Sequence, residues 1–185
     1  MGEKMPLPVT GPVANSLIVE TERLRLRIMR DSDLDDLATM FADPDVMRYV
    51  GNGLPADRAE AKRAIDSIVA HWERHGFGRW AVEDKETQEF VGYGGLRSLF
   101  GTPEVVYHLV KRHWGQGFAT EVGRASLNFG FNVRGFARIV AIAKPENLAS
   151  IHVMKKLGMH FEMQTSYYGI EVVQYATSPA EFNQQ

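Results

Sequence analysis

The chain has 185 residues, 21 Lys+Arg against 23 Asp+Glu for a net charge of −2, and no cysteine. This length suits one domain. The missing thiols exclude a disulfide framework, a cysteine nucleophile and Cys-ligated zinc or iron–sulfur sites, and the balanced, interspersed charge offers no field to a nucleic-acid backbone. No apolar run reaches the ~18 to 20 residues of a membrane-spanning helix, and the opening residues lack the apolar stretch of a secretory signal. A cytoplasmic protein is therefore expected.

Residues 1–16 hold Gly2, Pro6, Pro8, Gly11 and Pro12 and read as a mobile tail; the domain should span 17–178, with a second tail at 179–185. Leu24, Leu26 and Ile28 alternate with Arg23, Arg25 and Arg27, the period of a half-buried strand with one basic face. Asp31, Ser32 and Asp33 signal a helix start, Leu34, Leu37 and Phe41 continue it, and Asp43-Pro44 stops it before a short turn over 46–49. A longer helix opens at Pro55-Ala56-Asp57, carries an apolar stripe through Ala61, Ile65, Ile68 and Trp72, and stops at Gly76.

Short strands follow at 80–83 and 90–96, joined by a polar turn, and a fourth strand at Glu104–Val110. A buried helix over 118–131 leads from there to a central strand at 138–143, apolar on both faces. These last two strands should lie parallel, joined by a right-handed crossover. A helix from Asn147 to Leu157 with Leu148, Ile151, Met154 and Leu157 on one side ends at Gly158, and a hairpin of 160–163 with 172–176 turns around Tyr167, Tyr168 and Gly169. This order predicts a single α/β (α+β) domain with a mixed sheet.

The segment Trp114–Glu121, WGQGFATE, joins a strand to a helix through Gly115 and Gly117. Free N–H groups at a helix start point their dipoles at an anion, so a diphosphate is a natural guest, although a glycine pair can also serve turn geometry alone. A dinucleotide fingerprint is not met, because Thr120 stands where its third glycine belongs, and the Gly-Lys-Ser/Thr phosphate loop is absent. His71 and His75 lie at i, i+4 but lack an evident third partner, so no metal site is expected.

Three segments resemble the GCN5-related N-acetyltransferase (GNAT) superfamily and, within it, the RimJ and RimL group of ribosomal-protein N-terminal acetyltransferases. They are ETERLRLR at Glu20–Arg27, EVVYHLVKRHWGQGFATE at Glu104–Glu121, and NLASIHVMKKLGM at Asn147–Met159. Trp114, where most of the superfamily has Gln or Arg, is typical of that group. The resemblance implies a mostly antiparallel mixed sheet with helices on both faces and splayed fourth and fifth strands. It also implies acetyl transfer from acetyl-CoA, without a metal, to a primary amine. A protein N-terminal α-amine is the favoured acceptor and a small-molecule amine the alternative; an acyl-CoA-binding module without turnover is a different class, and the chain is expected as a monomer or homodimer.

By the same resemblance, Leu109 and Val110 bond the pantetheine arm through their main chains, and the N–H groups of Gly115, Gln116, Gly117, Phe118, Ala119 and Thr120 hold the diphosphate. Lys111, Arg112 and His113 stand close to that loop but fit a solvated turn equally well. Asn147 bonds the arm, Ser150 protonates the departing thiolate, and Glu104 serves as base, directly or through water. Tyr107 and Tyr168 are alternative acids, with packing the commoner role of strand aromatics. Without cysteine no acyl-cysteine forms, so the amine attacks the thioester directly. An α-amine of pKa ~7.8 is roughly 10 to 15% neutral at pH 7, a lysine at ~10.4 only about 0.04%, so a terminal amine needs less help from a base.

Overall fold

The computed structural model describes residues 18–184, so the tail expected at 1–16 lies outside the described residues. Strands β1 (Val19–Glu20) and β2 (Leu24–Arg27) lead into helices α1 (Leu34–Ala42), α2 (Pro44–Met47) and α3 (Arg58–His75). The meander β3 (Arg79–Asp84), β4 (Phe90–Leu99) and β5 (Thr102–Leu109) follows, then α4 (Phe118–Asn128), β6 (Ile139–Ala143) and α5 (Leu148–Lys156). The hairpin β7 (His160–Tyr167) and β8 (Ile170–Thr177) and the short α6 (Pro179–Phe182) complete the described chain. The strands form one mixed sheet in the order β1-β2-β3-β4-β5-β6-β8-β7, with β5 and β6 its one parallel pair among the described residues. The expected α/β fold and the strand, helix, strand crossover are thus present.

Helices cover both faces. Cross-strand register puts Arg79, Tyr93, Arg97, Glu104 and His108 on one face, where Phe41 of α1 meets Tyr93 edge-on at 6.3 Å between ring centroids. Gly94 and its partner Tyr107 look the other way, toward α4. There a Cβ on Gly94 would come within 2.5 Å of the Val122 side chain, so the missing methyl sets how closely α4 approaches the sheet. Trp72, Trp80 and Phe129 tie the ends of α3, β3 and α4 together with ring separations of 5.1 to 6.0 Å.

Asp43 ends α1 and caps α2, its carboxylate accepting from the Asp45 N–H at 2.9 Å, so the second turn begins two residues earlier than 46. The helix expected to run to Phe131 changes at Phe129 into a wider π turn over Phe129–Val133. The hairpin is longer than expected, because β7 is largely exposed and its Thr165 and Ser166 carry no apolar alternation to read. Residues 179–182, expected within a tail, form α6: Ser178 and Glu181 close a capping box, and Phe182 packs against Phe131 at 5.6 Å. Leu148, placed on the core stripe of its helix, is 72% exposed; Met154 and Leu157 carry the packing.

The expected basic face of the first strand is also corrected, since each arginine has its own acidic partner. Arg27 is half-buried in a fork with Asp33 and a contact to Glu83, Arg25 pairs with Glu20, and Arg23 pairs with Glu121. Gly94→Ala is expected to lower the unfolding free energy by roughly 1 to 3 kcal/mol through overpacking against Val122. Urea denaturation checks this, and an unchanged midpoint would show that α4 can retreat without cost.

Candidate active site

The parallel strands β5 and β6 keep only one register pair, Glu104 with Val140, near the start of both. From there to Leu109 and Ala143 they part, and a cleft of about 700 Å³ opens between them. Its walls come from β5, the 114–120 loop, the first turns of α5, the segment after α2 and the hairpin tip. Glu104, Leu109, Gly115, Gly117, Phe118, Ala119, Thr120, Asn147 and Ser150 all line it, as do Tyr107 and Tyr168.

One expected contact is corrected. The Val110 N–H donates to Val91 O and its C=O accepts from His113 N, both at 3.0 Å, because Val110 continues the β4–β5 ladder. Alternation turns the Leu109 N–H to the open side instead, and the Leu109 C=O accepts from the Trp114 indole at 2.8 Å. The Gln116 side chain lies outside the cleft wall and donates to Arg112 O, so what Gln116 offers the mouth is its main-chain N–H.

At the mouth, α4 starts directly after Gly117, whose φ of +84° is disfavoured for any residue with a Cβ. No side chain caps this helix. Trp114 N bonds Lys111 O and Glu121 N bonds Gly117 O, but the six N–H groups from Gly115 to Thr120 find no partner among the described residues. Such a row, at the positive end of a helix dipole, is a ready anion cradle and fits a diphosphate.

The sequence reading missed what holds this loop. Glu121 accepts from the Thr21 hydroxyl at 2.5 Å, the Arg23 N–H at 2.9 Å and the Arg23 guanidinium at 2.8 Å. Burial works against the Glu121 charge, yet these donors outweigh it and hold its carboxyl below the usual range. Arg23 also donates to Gln116 O at 2.9 Å and lies 4.4 Å over the Phe118 ring. β2 thereby clasps the loop 93 residues away. Lys111 is engaged by Asp45 at 2.6 Å and Arg112 by Glu89 at 3.4 Å, so both stand in ion pairs beside the loop, while burial lowers the His113 pKa and its Nε2, 3.7 Å from Glu89, has no hydrogen-bond partner among the described residues.

Deeper in, the two faces of the sheet present different chemistry. On the α4 and α5 face, the Tyr107 hydroxyl lies 3.2 Å from Ser150 Oγ and 3.1 Å from Ser150 O. Burial raises the Tyr107 pKa, so the phenol keeps its proton. Asn147 Oδ1 caps α5 by accepting from Ser150 N at 3.1 Å, which leaves its amide N–H₂ for other partners. On the α1 face, Glu104 is only 1% exposed and takes a two-point contact from Arg97, at 2.6 Å and 3.2 Å. Burial raises the Glu104 pKa and Arg97 opposes that rise. His108 beside them is pushed down to about 3, chiefly by burial and then by Arg79 and Arg97, so it is neutral near pH 7.

Tyr168 stands at the cleft rim, 73% exposed and stacked on Phe100 at 5.2 Å. Both ring nitrogens of His71 are engaged, by Phe77 O at 2.8 Å and the Ser98 N–H at 3.2 Å, which makes it a brace between α3 and β4. No helix among the described residues is long and apolar enough to cross a membrane.

A splayed parallel pair with an uncapped, glycine-bounded helix start at its mouth defines an acyl-CoA-type transferase site. The model of the acetyltransferase (GNAT) domain matches residues 23–160, and the chain belongs to that family, whose members are N-acetyltransferases using acetyl-CoA as co-substrate. It is 39% identical over 146 residues to the uncharacterized protein YkkB of Bacillus subtilis, spanning 76% of this chain and 84% of that one. It is 31% identical to the uncharacterized N-acetyltransferase YoaA of the same organism, over 78% and 84% of the two chains. A spermidine N-acetyltransferase from Vibrio cholerae, solved with CoA and spermine, shares the fold at a TM-score of 0.72 and 17% identity, over 88% of this chain and 99% of that one.

Removing the clasp should loosen the loop while leaving the core intact. Arg23→Ala is expected to weaken CoA binding on the order of tenfold by calorimetry with little change in melting temperature, since a partly exposed pair adds little global stability. Unchanged affinity would mean that the loop holds its shape without β2.

Proposed function

We propose that the chain binds acetyl-CoA along the cleft, with its diphosphate on the N–H groups of Gly115, Gln116, Gly117, Phe118, Ala119 and Thr120, and passes the acetyl group directly to a primary α-amine. The observation that carries this reading is the row of unpartnered N–H groups opening onto a cleft with a carboxylate on one face and a hydroxyl pair on the other. The Leu109 main chain and the Asn147 amide are the groups available to the pantetheine arm.

In this reading the amine arrives from the α1 face and gives its proton through water to Glu104, whose oxygens retain lone pairs beyond those that Arg97 occupies. The nitrogen attacks the thioester carbonyl, the C–S bond breaks, and the thiolate on the opposite face takes a proton from Ser150, itself bonded to Tyr107. Because burial holds the Tyr107 proton in place, the pair is a donor at neutral pH. The chain's absence of cysteine agrees with direct attack. The RimJ and RimL resemblance supports a protein N-terminus as acceptor. A small-molecule α-amine is the second reading, favoured by the buried charges of the acceptor side.

Glu104→Gln is expected to lower kcat by about 10² or more with little change in the KM for acetyl-CoA. The base must be ionised and burial raises its pKa, so kcat of the native enzyme should fall with decreasing pH through a limb above the ordinary carboxylate range. Steady-state thiol release against pH measures this, and a limb unchanged in Glu104→Gln would remove Glu104 as base.

Gly117→Val should abolish CoA binding in calorimetry while circular dichroism stays native. The loop has space for the side chain, with only the Arg23 guanidinium within 4 Å of a Cβ, but the +84° backbone resists a branched residue and the added bulk covers the N–H groups. CoA binding without turnover on any amine would instead assign the chain as an acyl-CoA-binding module.

A further inference from the structure

The acceptor side of the cleft holds an unbalanced charge. Arg79, Arg97, Glu104 and His108 share the α1 face of β3, β4 and β5, and Arg79 sits opposite Gly95, which in turn faces Val106. Glu104 is the carboxylate of this group, and Arg97 holds both its oxygens. His108 is neutral near pH 7 and its Nδ1 is buried without a partner. The Arg79 guanidinium makes no ion pair and no hydrogen bond among the described residues. It lies at the cleft wall with the Tyr93 ring 5.9 Å away. Burial acts most strongly against its charge, and the repulsion of Arg97 adds to this, while the Tyr93 hydroxyl and, without direct contact, Glu104 favour it.

A guanidinium always carries its proton, and its planar fork of donors matches a carboxylate or phosphonate at two points. Half-buried at the cleft wall and without an ion pair, it is placed to gain from an anion arriving with the acceptor. We propose that the acceptor is a small amine bearing an anionic group a few bonds from its nitrogen, an amino acid or aminophosphonate, and that Arg79 binds that group. Two strand spacings, roughly 10 Å, separate the Arg79 backbone from Val106 on β5, where the cleft opens. Arg79 and Val106 line the same cleft on the same face of the sheet, so an acceptor spanning the anion site and the thioester has to be compact.

The neighbouring walls favour a small molecule over a polypeptide. The hairpin tip is joined to the β4–β5 turn by the stack of Phe100 with Tyr167 and Tyr168, at 5.7 Å and 5.2 Å. The same positive charge disfavours a polycation, whose second ammonium group would have to sit beside Arg79.

This inference rests on the acetyl-transfer reading, and the experiment separates the two. Thiol release from acetyl-CoA is measured with matched acceptors: free amino acids and their carboxamides, an aminophosphonate, a polyamine and a short peptide. Binding of each to the CoA-loaded protein is followed in parallel by calorimetry. The acid of each pair should exceed its amide by about tenfold or more in kcat/KM, mainly through KM, as expected for a buried charge pair. Arg79→Gln should raise KM for the acid to that of the amide while leaving the amide and CoA binding unchanged, and Arg79→Lys should keep part of the preference.

A better carboxylate or a better phosphonate identifies the kind of anion and supports the site in either case. Amides equal to acids in the native enzyme, a preference for the polyamine, or a preference for the peptide would overturn the proposal without any variant. Acid binding that depends on Arg79 but gives no turnover would uphold the anion site and refute acetyl transfer to these acceptors. Neither binding nor turnover of the acids would refute the anion site.

Discussion

The cleft depends on one constraint: β5 and β6 are parallel and bonded in register only at Glu104 and Val140. Antiparallel neighbours can stay paired to their ends, as β4 and β5 do from Gly92–Leu109 to Leu99–Thr102. A parallel pair needs a crossover, here through α4, and the crossover must start at the end of β5. The strand end, the helix start and the gap therefore coincide. Backbone groups on the open side of β5 lose their sheet partners where the uncapped N–H groups of α4 begin. The binding surface is made of main-chain groups that the topology leaves unpaired, which explains why side-chain chemistry is sparse at the mouth and dense farther in.

This gap also gives the site two sides. Alternation along β5 sends Glu104, Val106 and His108 to the α1 face and Val105, Tyr107 and Leu109 to the α4 face. Glu104 on β5 and Ser150 on α5, the base and acid of the proposed mechanism, need not share a pocket, because the opened seam connects both faces. Ser150 reaches this seam from α5, and Tyr107 holds it there through the hydroxyl contact at 3.2 Å. The proposed direct transfer would benefit from such an arrangement, since nucleophile and leaving group would lie on opposite sides and their proton carriers would not compete.

Most of the frame was legible in the sequence because local signals agreed with the global fold. Asp57 and Gly76 bound α3 where expected, and the apolar run 139–143 is the central strand its two-sided hydrophobicity indicated. Glu104, Ser150 and the glycine loop reach one cleft as their spacing and the resemblance suggested. What stayed hidden is long-range and electrostatic. Nothing in ETERLRLR says that Arg23 clasps a loop 93 residues onward while Arg27 is half-buried on Asp33 and Glu83. Alternation gives the side of the sheet, but the partner depends on what the fold carries there. Val110 shows the reverse case: its neighbour on the chain faces the cleft, and strand pairing alone turns its own N–H away.

The two ends of the cleft meet negative charge by different physical means. At the mouth, five of the six residues with unpartnered N–H groups are exposed or partly exposed, so water can solvate the loop and little desolvation cost accrues there. In the interior, dipoles without water around them would be costly to leave unmatched, and full charges more so. There Arg97 is matched by Glu104, His108 avoids the problem by staying neutral, and Arg79 retains an unmatched cation. A net charge of −2 for the chain conceals both arrangements. The first involves no ionised side chain, and the second is a local excess of one guanidinium, visible only when each buried charge is assigned its partner.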